Sequence, residues 1–185
     1  MSEGEGQFNP EEKKFGKMVV EVGFGHMPSI LDEENLLELK DDEYYFGIDR
    51  SSGAASLGKT EYLKEKPERA FIGVQDAKKM PFSDSSISKL IYRNVFCDAR
   101  TEGRGVILSE AARVLENGGS VEILEKISPR EAYEFFGVTN IQGGEGNKLL
   151  IDSGMIGEYG LKISKFKQIN AQTEEGAGFE LTLTK

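Results

Sequence analysis

The alternation of short apolar runs with amphipathic ones constrains this chain more than any other feature of its sequence. "KMVVEVG" (17–23) is apolar and β-branched, and predicts a first strand. "PSILDEENLLELK" (28–40) has Pro28 near its start and predicts a helix. "YYFGIDR" (44–50) follows an acidic turn as a second strand, and "SSGAASLGKTEYLKEK" (51–66) predicts a helix weakened by Gly53 and Gly58. "RAFIGVQDA" (69–77) is a third strand, "KKMPFSDSSIS" (78–88) a loop of turn formers, and "KLIYRNVFCD" (89–98) a fourth strand. "GRGVILSEAARVLENGG" (103–119) predicts an amphipathic helix stopped by Gly118 and Gly119. "SVEILEK" (120–126) is a fifth strand, "SPREAYEFFG" (128–137) a helix capped by Ser128, and "NKLLIDSG" (147–154) another short helix. "LKISKFKQIN" (161–170) and "GFELTLTK" (178–185) are closing strands joined by a short linker.

Strands that alternate with helices over most of the length imply a parallel sheet covered on both faces, and the closing pair adds an antiparallel hairpin. The expected fold is α/β: a Rossmann-like, mostly parallel seven-stranded sheet with helices on both faces. We expect one domain over residues 17–185, preceded by a flexible lead of residues 1–16.

Composition narrows the function. The net charge of -9 disfavours nucleic acid, whose binding rests on Lys and Arg neutralising phosphates. No run approaches the roughly 20 apolar residues that span a bilayer, and the polar start lacks the apolar core of a secretory signal, so a cytoplasmic location is expected. Cys97 is the sole cysteine and His26 the sole histidine, which excludes an internal disulfide and leaves a structural zinc site without its usual ligands.

Ligands of open parallel sheets sit beyond the carboxyl ends of the strands, where strand order reverses. That directs attention to the turn after strand one, where Gly23 and Gly25 permit a tight bend and close approach of a ligand to backbone amides. Glu21 sits within the strand before it, and a carboxylate there requires a cation or hydrogen-bond donors as partners. A dinucleotide pyrophosphate would not favour that carboxylate, and the third glycine of the fingerprint is replaced by Pro28, so NAD fits poorly. Asp49 ends strand two, where it could accept from both hydroxyls of a ribose, and Asp76 follows strand three, where it could bind an adenine amino group.

Four segments in this order, "VVEVGFG", "YYFGID", "VQDAKKMPFSDSSIS" and "ILSEAARVLENGGSVEIL", resemble the class I S-adenosylmethionine-dependent methyltransferases with a small-molecule-type core. The most specific parts are "DAKKMPFSDSS" and "EAARVLENGG", similar to the family's D-A-x-x-L-P-F-x-D-x-S and E-x-x-R-V-L-x-P-G-G. The resemblance implies S-adenosyl-L-methionine as cofactor. It implies that Glu21 holds the methionine end near its ammonium, directly or through water, with Gly23 and Gly25 beneath. It further implies that Asp49 takes the ribose with Arg50 beside it, that Asp76 and Ala77 line the adenine, and that Asn94 faces the methyl donor. The implied activity is methyl transfer to a small-molecule or protein acceptor. The alternative is a non-catalytic relative serving as a binding or regulatory subunit, with a partner subunit.

Three departures from the family pattern motivate that alternative. Met27 stands where a small residue is usual, and either crowds the cofactor or fills a gap in helix packing. Ser88 replaces an Asp common at the start of strand four, a position of structural rather than chemical importance. Few residues precede strand one, so the acceptor site is either open or completed by residues 1–16 or another subunit. His26 is either a base near the acceptor or a loop residue without a role. Cys97 lacks a histidine to activate it and is expected to pack in the core, while Tyr92 and Phe96 are expected as core or cofactor walls. Asp98 and Arg100 either meet the acceptor or solvate a loop. The sulfonium is already a good leaving group, so alignment and exclusion of water supply most of the rate and no catalytic residue need stand out.

Overall fold

The computed structural model describes residues 16–25, 28, 39–58, 69–97, 103–126, 138–143, 146–151, 156–169 and 178–185. Its elements are β1 (Lys17–Val22), β2 (Glu43–Asp49), α1 (Ser52–Leu57), β3 (Ala70–Val74), β4 (Ile87–Arg93), α2 (Arg104–Val114), β5 (Leu115–Glu125), β6 (Val138–Gly143), β7 (Gly146–Ile151), β8 (Lys162–Ile169) and β9 (Gly178–Thr184). The main sheet has seven strands in the order β3-β2-β1-β4-β5-β9-β8. Pairing is parallel from β3 through β5, and β9 runs antiparallel to both β5 and β8. This is the expected Rossmann-like sheet with its closing antiparallel pair.

Alternation along the strands assigns the two faces. On one face Val20, Val22, Phe46, Ile48, Leu90, Tyr92, Val121 and Ile123 form the main core with Ile107, Leu108, Ala111 and Val114 of α2. Phe71 stacks on Phe46 at 4.9 Å within this layer, whereas its neighbour Ile72 points the other way and packs with Phe24, Ala54 and Ala55. The two helices therefore cover opposite faces. Ser51 caps α1 by accepting the Ala54 amide at 3.3 Å.

The two motifs most specific in the sequence turn out to be a staple. Glu110 and Arg113 of α2 pair through two hydrogen bonds, from Arg113 Nε at 2.8 Å and Nη2 at 2.7 Å. Arg113 also donates to the Phe82 carbonyl at 2.9 Å and to Asp84 Oδ1 at 2.6 Å, and Glu110 Oε1 accepts the Met80 amide at 2.7 Å. Met80 and Phe82 are driven into the core beneath, with Phe82 edge-on to Phe46 at 5.7 Å. The loop after β3 is thus held from outside by charge and from inside by apolar burial.

Several sequence expectations need correction. The helix expected to be stopped by Gly118 and Gly119 ends earlier, at Val114, because Leu115 turns to extended geometry and bridges to Ile87. Ser85 and Ser86 donate their amides to the carbonyls of Arg113 and Val114 at 2.9 and 2.8 Å, and Lys185 Nζ donates to those of Ala112 and Leu115 at 2.7 and 2.8 Å, so the helix end is satisfied without its glycines. "NKLLIDSG" supplies a strand, not a helix: β7 pairs antiparallel with β6, Gly143 opposite Gly146. A short apolar run reads either way, and pairing with the segment at 138–143 decides it. Ser88 lies inside β4 and donates to the Met18 carbonyl of β1 at 2.8 Å, a bond that an ionised Asp could not make. Residues 29–38 of the helix expected at 28–40, the helix expected at 128–137, His26, Met27, Asp98, Arg100 and nearly all of the N-terminal lead lie outside the described residues.

Candidate functional site

Strand order reverses between β1 and β4, and a cleft of about 940 Å³ opens there at the carboxyl ends of β1 to β4. Of the residues selected from sequence, Gly23, Gly25, Asp49, Arg50, Asp76, Ala77 and Asn94 all line it. Glu21 does not.

The glycine turn is built from two left-handed residues, Gly23 at φ 76° and Gly25 at φ 60°. At Gly23 a Cβ would meet Val95 Cγ2 at 2.5 Å and the Arg93 carbonyl at 2.9 Å, so the turn lies flat against the segment after β4. At Gly25 a Cβ would meet nothing within 4 Å, leaving open space above the backbone. Asp49 organises this turn. Its Oδ2 accepts the Gly25 amide at 3.0 Å and its Oδ1 accepts the Ser51 amide at 2.8 Å. Each carboxylate oxygen keeps capacity for a further donor, since the pair offers about four lone-pair sites. Asp76 is exposed on the cleft rim, its Oδ1 accepting the Lys78 amide at 2.9 Å.

Glu21 finds its partners behind the wall. It is 0% exposed, accepts a hydrogen bond from Tyr45 Oη, and lies 3.4 Å from Arg93 Nη1. Tyr45 reaches it by crossing Gly47, where a Cβ would meet the phenol oxygen at 3.1 Å. Burial first, and the Glu21 carboxylate second, push the Tyr45 phenol well above its ordinary range, so it stays a donor. Arg93 in turn lines the cleft. Both partners escaped the sequence reading, although Gly47 within a strand signals close approach and Arg93 interrupts the apolar run "LIYRNV".

Strand β4 ends one residue before Asn94, which takes a left-handed φ of 50° and donates its amide to the Leu124 carbonyl at 2.9 Å. Asn94 Oδ1 accepts the Lys126 amide at 3.0 Å. Tyr92 and Phe96 are core residues, edge to face at 5.3 Å, rather than cleft walls. Cys97 is only partly buried and packs against the core; burial and then the nearby Glu125 push its thiol up to about 12, which keeps it a poor nucleophile at neutral pH. Glu125 itself is 2% exposed and was not singled out from sequence. Its signal was there, as the one charged residue in step with Val121 and Ile123 on the core face of β5. Among the described residues no group of three or more His, Cys, Asp or Glu could hold a metal, and no helix is long and apolar enough to cross a membrane.

Sheet order and cleft together define a Rossmann-like α/β domain with its site at the switch point. A model of the methyltransferase domain matches residues 20–123, more than half of the chain, and the chain belongs to that family. No curated protein matches it. Among solved structures it is similar to an S-adenosylmethionine-dependent methyltransferase from Methanosarcina mazei, with TM-score 0.62 and 17% identity over 96% of this chain and 98% of that one. It is similar also to the [4+2]-cyclase SpnF, with TM-score 0.63 and 14% identity over 92% of this chain and 74% of that one. A third likeness is to a chain in the complex of the Haloferax volcanii Trm112 methyltransferase activator with a methyltransferase, with TM-score 0.59 and 14% identity over 94% of this chain and 83% of that one. At these identities the likeness is one of fold.

Proposed function

We propose that the cleft binds S-adenosyl-L-methionine and that the protein, acting in the cytoplasm, transfers a methyl group to a small-molecule or protein acceptor. The observation that carries this reading is the joint placement of Asp49 and the Gly23–Gly25 turn, a carboxylate with lone pairs left over beside open backbone. Asp49, with Arg50 beside it, would take the ribose hydroxyls. Asp76 and Ala77 would line the adenine, and Gly23 and Gly25 would lie beneath the methionine portion. Asn94 would face the reacting end. Glu21 would act on the amino-acid end from behind the wall, through water or through Arg93, which stands between it and the cleft. When bound, the cofactor supplies an activated methyl group on a sulfonium, so the chain's own residues have to bind, align and exclude water.

A second reading keeps the fold as a non-catalytic binding or regulatory subunit. It is favoured by the engagement of Glu21 with Tyr45 and Arg93, which gives the carboxylate partners of its own. Calorimetric titration of the purified protein with S-adenosylmethionine and S-adenosylhomocysteine separates the two. Binding supports the first reading, and silence at millimolar ligand would end it. A stable complex with a larger protein, recovered from the native cell and identified by mass spectrometry, would then support the second.

A further inference from the structure

Glu125 ends β5 with its carboxylate turned into the core face, and three successive backbone amides converge on it. Oε1 accepts from Val95 at 2.8 Å and from Phe96 at 3.0 Å, and Oε2 accepts from Cys97 at 2.9 Å. Among the described residues no Lys or Arg pairs with it. Burial pushes its carboxyl upward and the amide hydrogen bonds pull it back down. Three N–H dipoles aimed at one point make an anion-binding concavity, and here the anion is part of the protein. Only a carboxylate offers acceptor sites on both oxygens; an amide would turn an N–H against one of the donors.

The segment held this way reaches the cleft at its first residue. Asn94 and Val95 line it, and Val95 Cγ2 occupies the space where Gly23 lacks a side chain. The Lys126 amide donates to Asn94 Oδ1 in the other direction, so the ends of β4 and β5 are stitched reciprocally. Arg104 adds a bond from Nε to the Phe96 carbonyl at 2.9 Å, which ties the same turn to α2. We infer that Glu125 is a positioning residue: its carboxylate clamps residues 95–97 so that Val95 and Asn94 set the shape of the cleft beside the glycine turn, without touching the ligand. The ligand half of this inference rests on the function proposed above.

The test uses Glu125→Gln, which keeps volume, and Glu125→Asp, which keeps charge but falls one methylene short. Amide exchange of the ligand-free protein reads the clamp directly. Exchange at residues 95–97 is expected to quicken by about tenfold or more in Glu125→Gln, with the amides of β1 and β2 unchanged. Titration then reads the consequence. S-adenosylhomocysteine, which spans the cleft, is expected to bind Glu125→Gln about tenfold more weakly, while adenosine, confined to the Asp49 and Asp76 end, keeps its wild-type affinity within about twofold. Glu125→Asp is expected to fall between the wild type and Glu125→Gln in both measurements. Unchanged exchange at 95–97 in a folded variant overturns the clamp. Quickened exchange with equal losses for both ligands, or with no loss for either, overturns the positioning role. A wild type that binds neither ligand overturns the proposed function and the ligand half with it, while the exchange measurement still decides the clamp.

Discussion

Asp49 Oδ2 accepts the Gly25 amide at 3.0 Å, so one side chain joins the end of β2 to the turn that follows β1. The same carboxylate accepts the Ser51 amide at the start of α1 through its other oxygen, at 2.8 Å. The proposed ligand recognition and the local architecture therefore share an atom group, and a change at Asp49 tests both.

Asp49→Ala is expected to lose about 2 to 3 kcal/mol of S-adenosylhomocysteine binding, a roughly 30- to 150-fold weaker Kd. Position at a strand end alone suggests little cost in stability, but the two amide bonds raise that to about 1 kcal/mol. Isothermal titration together with a ligand-free thermal melt measures both parts. Unchanged affinity in a folded variant would remove Asp49 from the site.

Tyr45→Phe should destabilise the fold by about 1 to 3 kcal/mol, since it strips a donor from a fully buried carboxylate. Glu21→Gln paired with Tyr45→Phe forms a cycle whose coupling should be nonzero. Urea melts of the four proteins give that number, and simple additivity would mean the two side chains do not interact.

Arg113→Met should cost about 1 to 2 kcal/mol at pH 7, a value trimmed by solvent because the Arg113 side chain is 35% exposed. The variant should also change the acid limb. The Arg113 hydrogen bonds hold the Glu110 carboxyl below its ordinary value, so this contribution is complete above the unfolded pKa of about 4.3 and fades as pH falls through the folded one. Denaturant melts between neutral and acid pH should show a shallower acid loss in the variant than in the wild type. Parallel curves would argue against the staple.

Tyr92→Phe is expected to raise stability by about 1 kcal/mol. The Tyr92 hydroxyl is buried among core side chains and has no hydrogen-bond partner among the described residues, so it carries a desolvation cost with nothing in return. A higher Tm with unchanged ligand affinity is the expected result. A lower Tm would mean that the hydroxyl has a partner after all.

The parts of the molecule legible in the sequence were those governed by period and by turn chemistry. β1, β2 and β3 announce themselves as apolar runs, and Gly23, Gly25, Asp49 and Asp76 follow from where such runs end. What escaped was set by contacts between elements distant in sequence. Glu21 could be seen to need a partner, yet nothing local shows that Tyr45 would cross Gly47 to reach it or that Arg93 would arrive from β4. Glu125 falls in step with the core face of β5, yet nothing local shows that the amides of residues 95–97 would fold over it. β7 failed for a different reason, since a few apolar residues carry no period and take their structure from the strand beside them.

The insertion of β9 between β5 and β8 has a consequence for how the chain reaches this state. Ser120 pairs with Thr184 and Glu125 with Phe179, whereas β4, on the other side of β5, meets it across a much shorter stretch of chain. Until residues 178–184 arrive, β5 offers an unpaired apolar edge, with Val121 and Ile123 on it and no lysine to blunt it. Closing that edge is, with the pairing of β1 on β4, one of the two contacts of high sequence separation in the sheet that should slow folding, and a species that waits for it is prone to aggregate. The lysines of β8 at 162, 165 and 167 then stand on the last strand of the sheet among the described residues, where charge discourages a second sheet from joining.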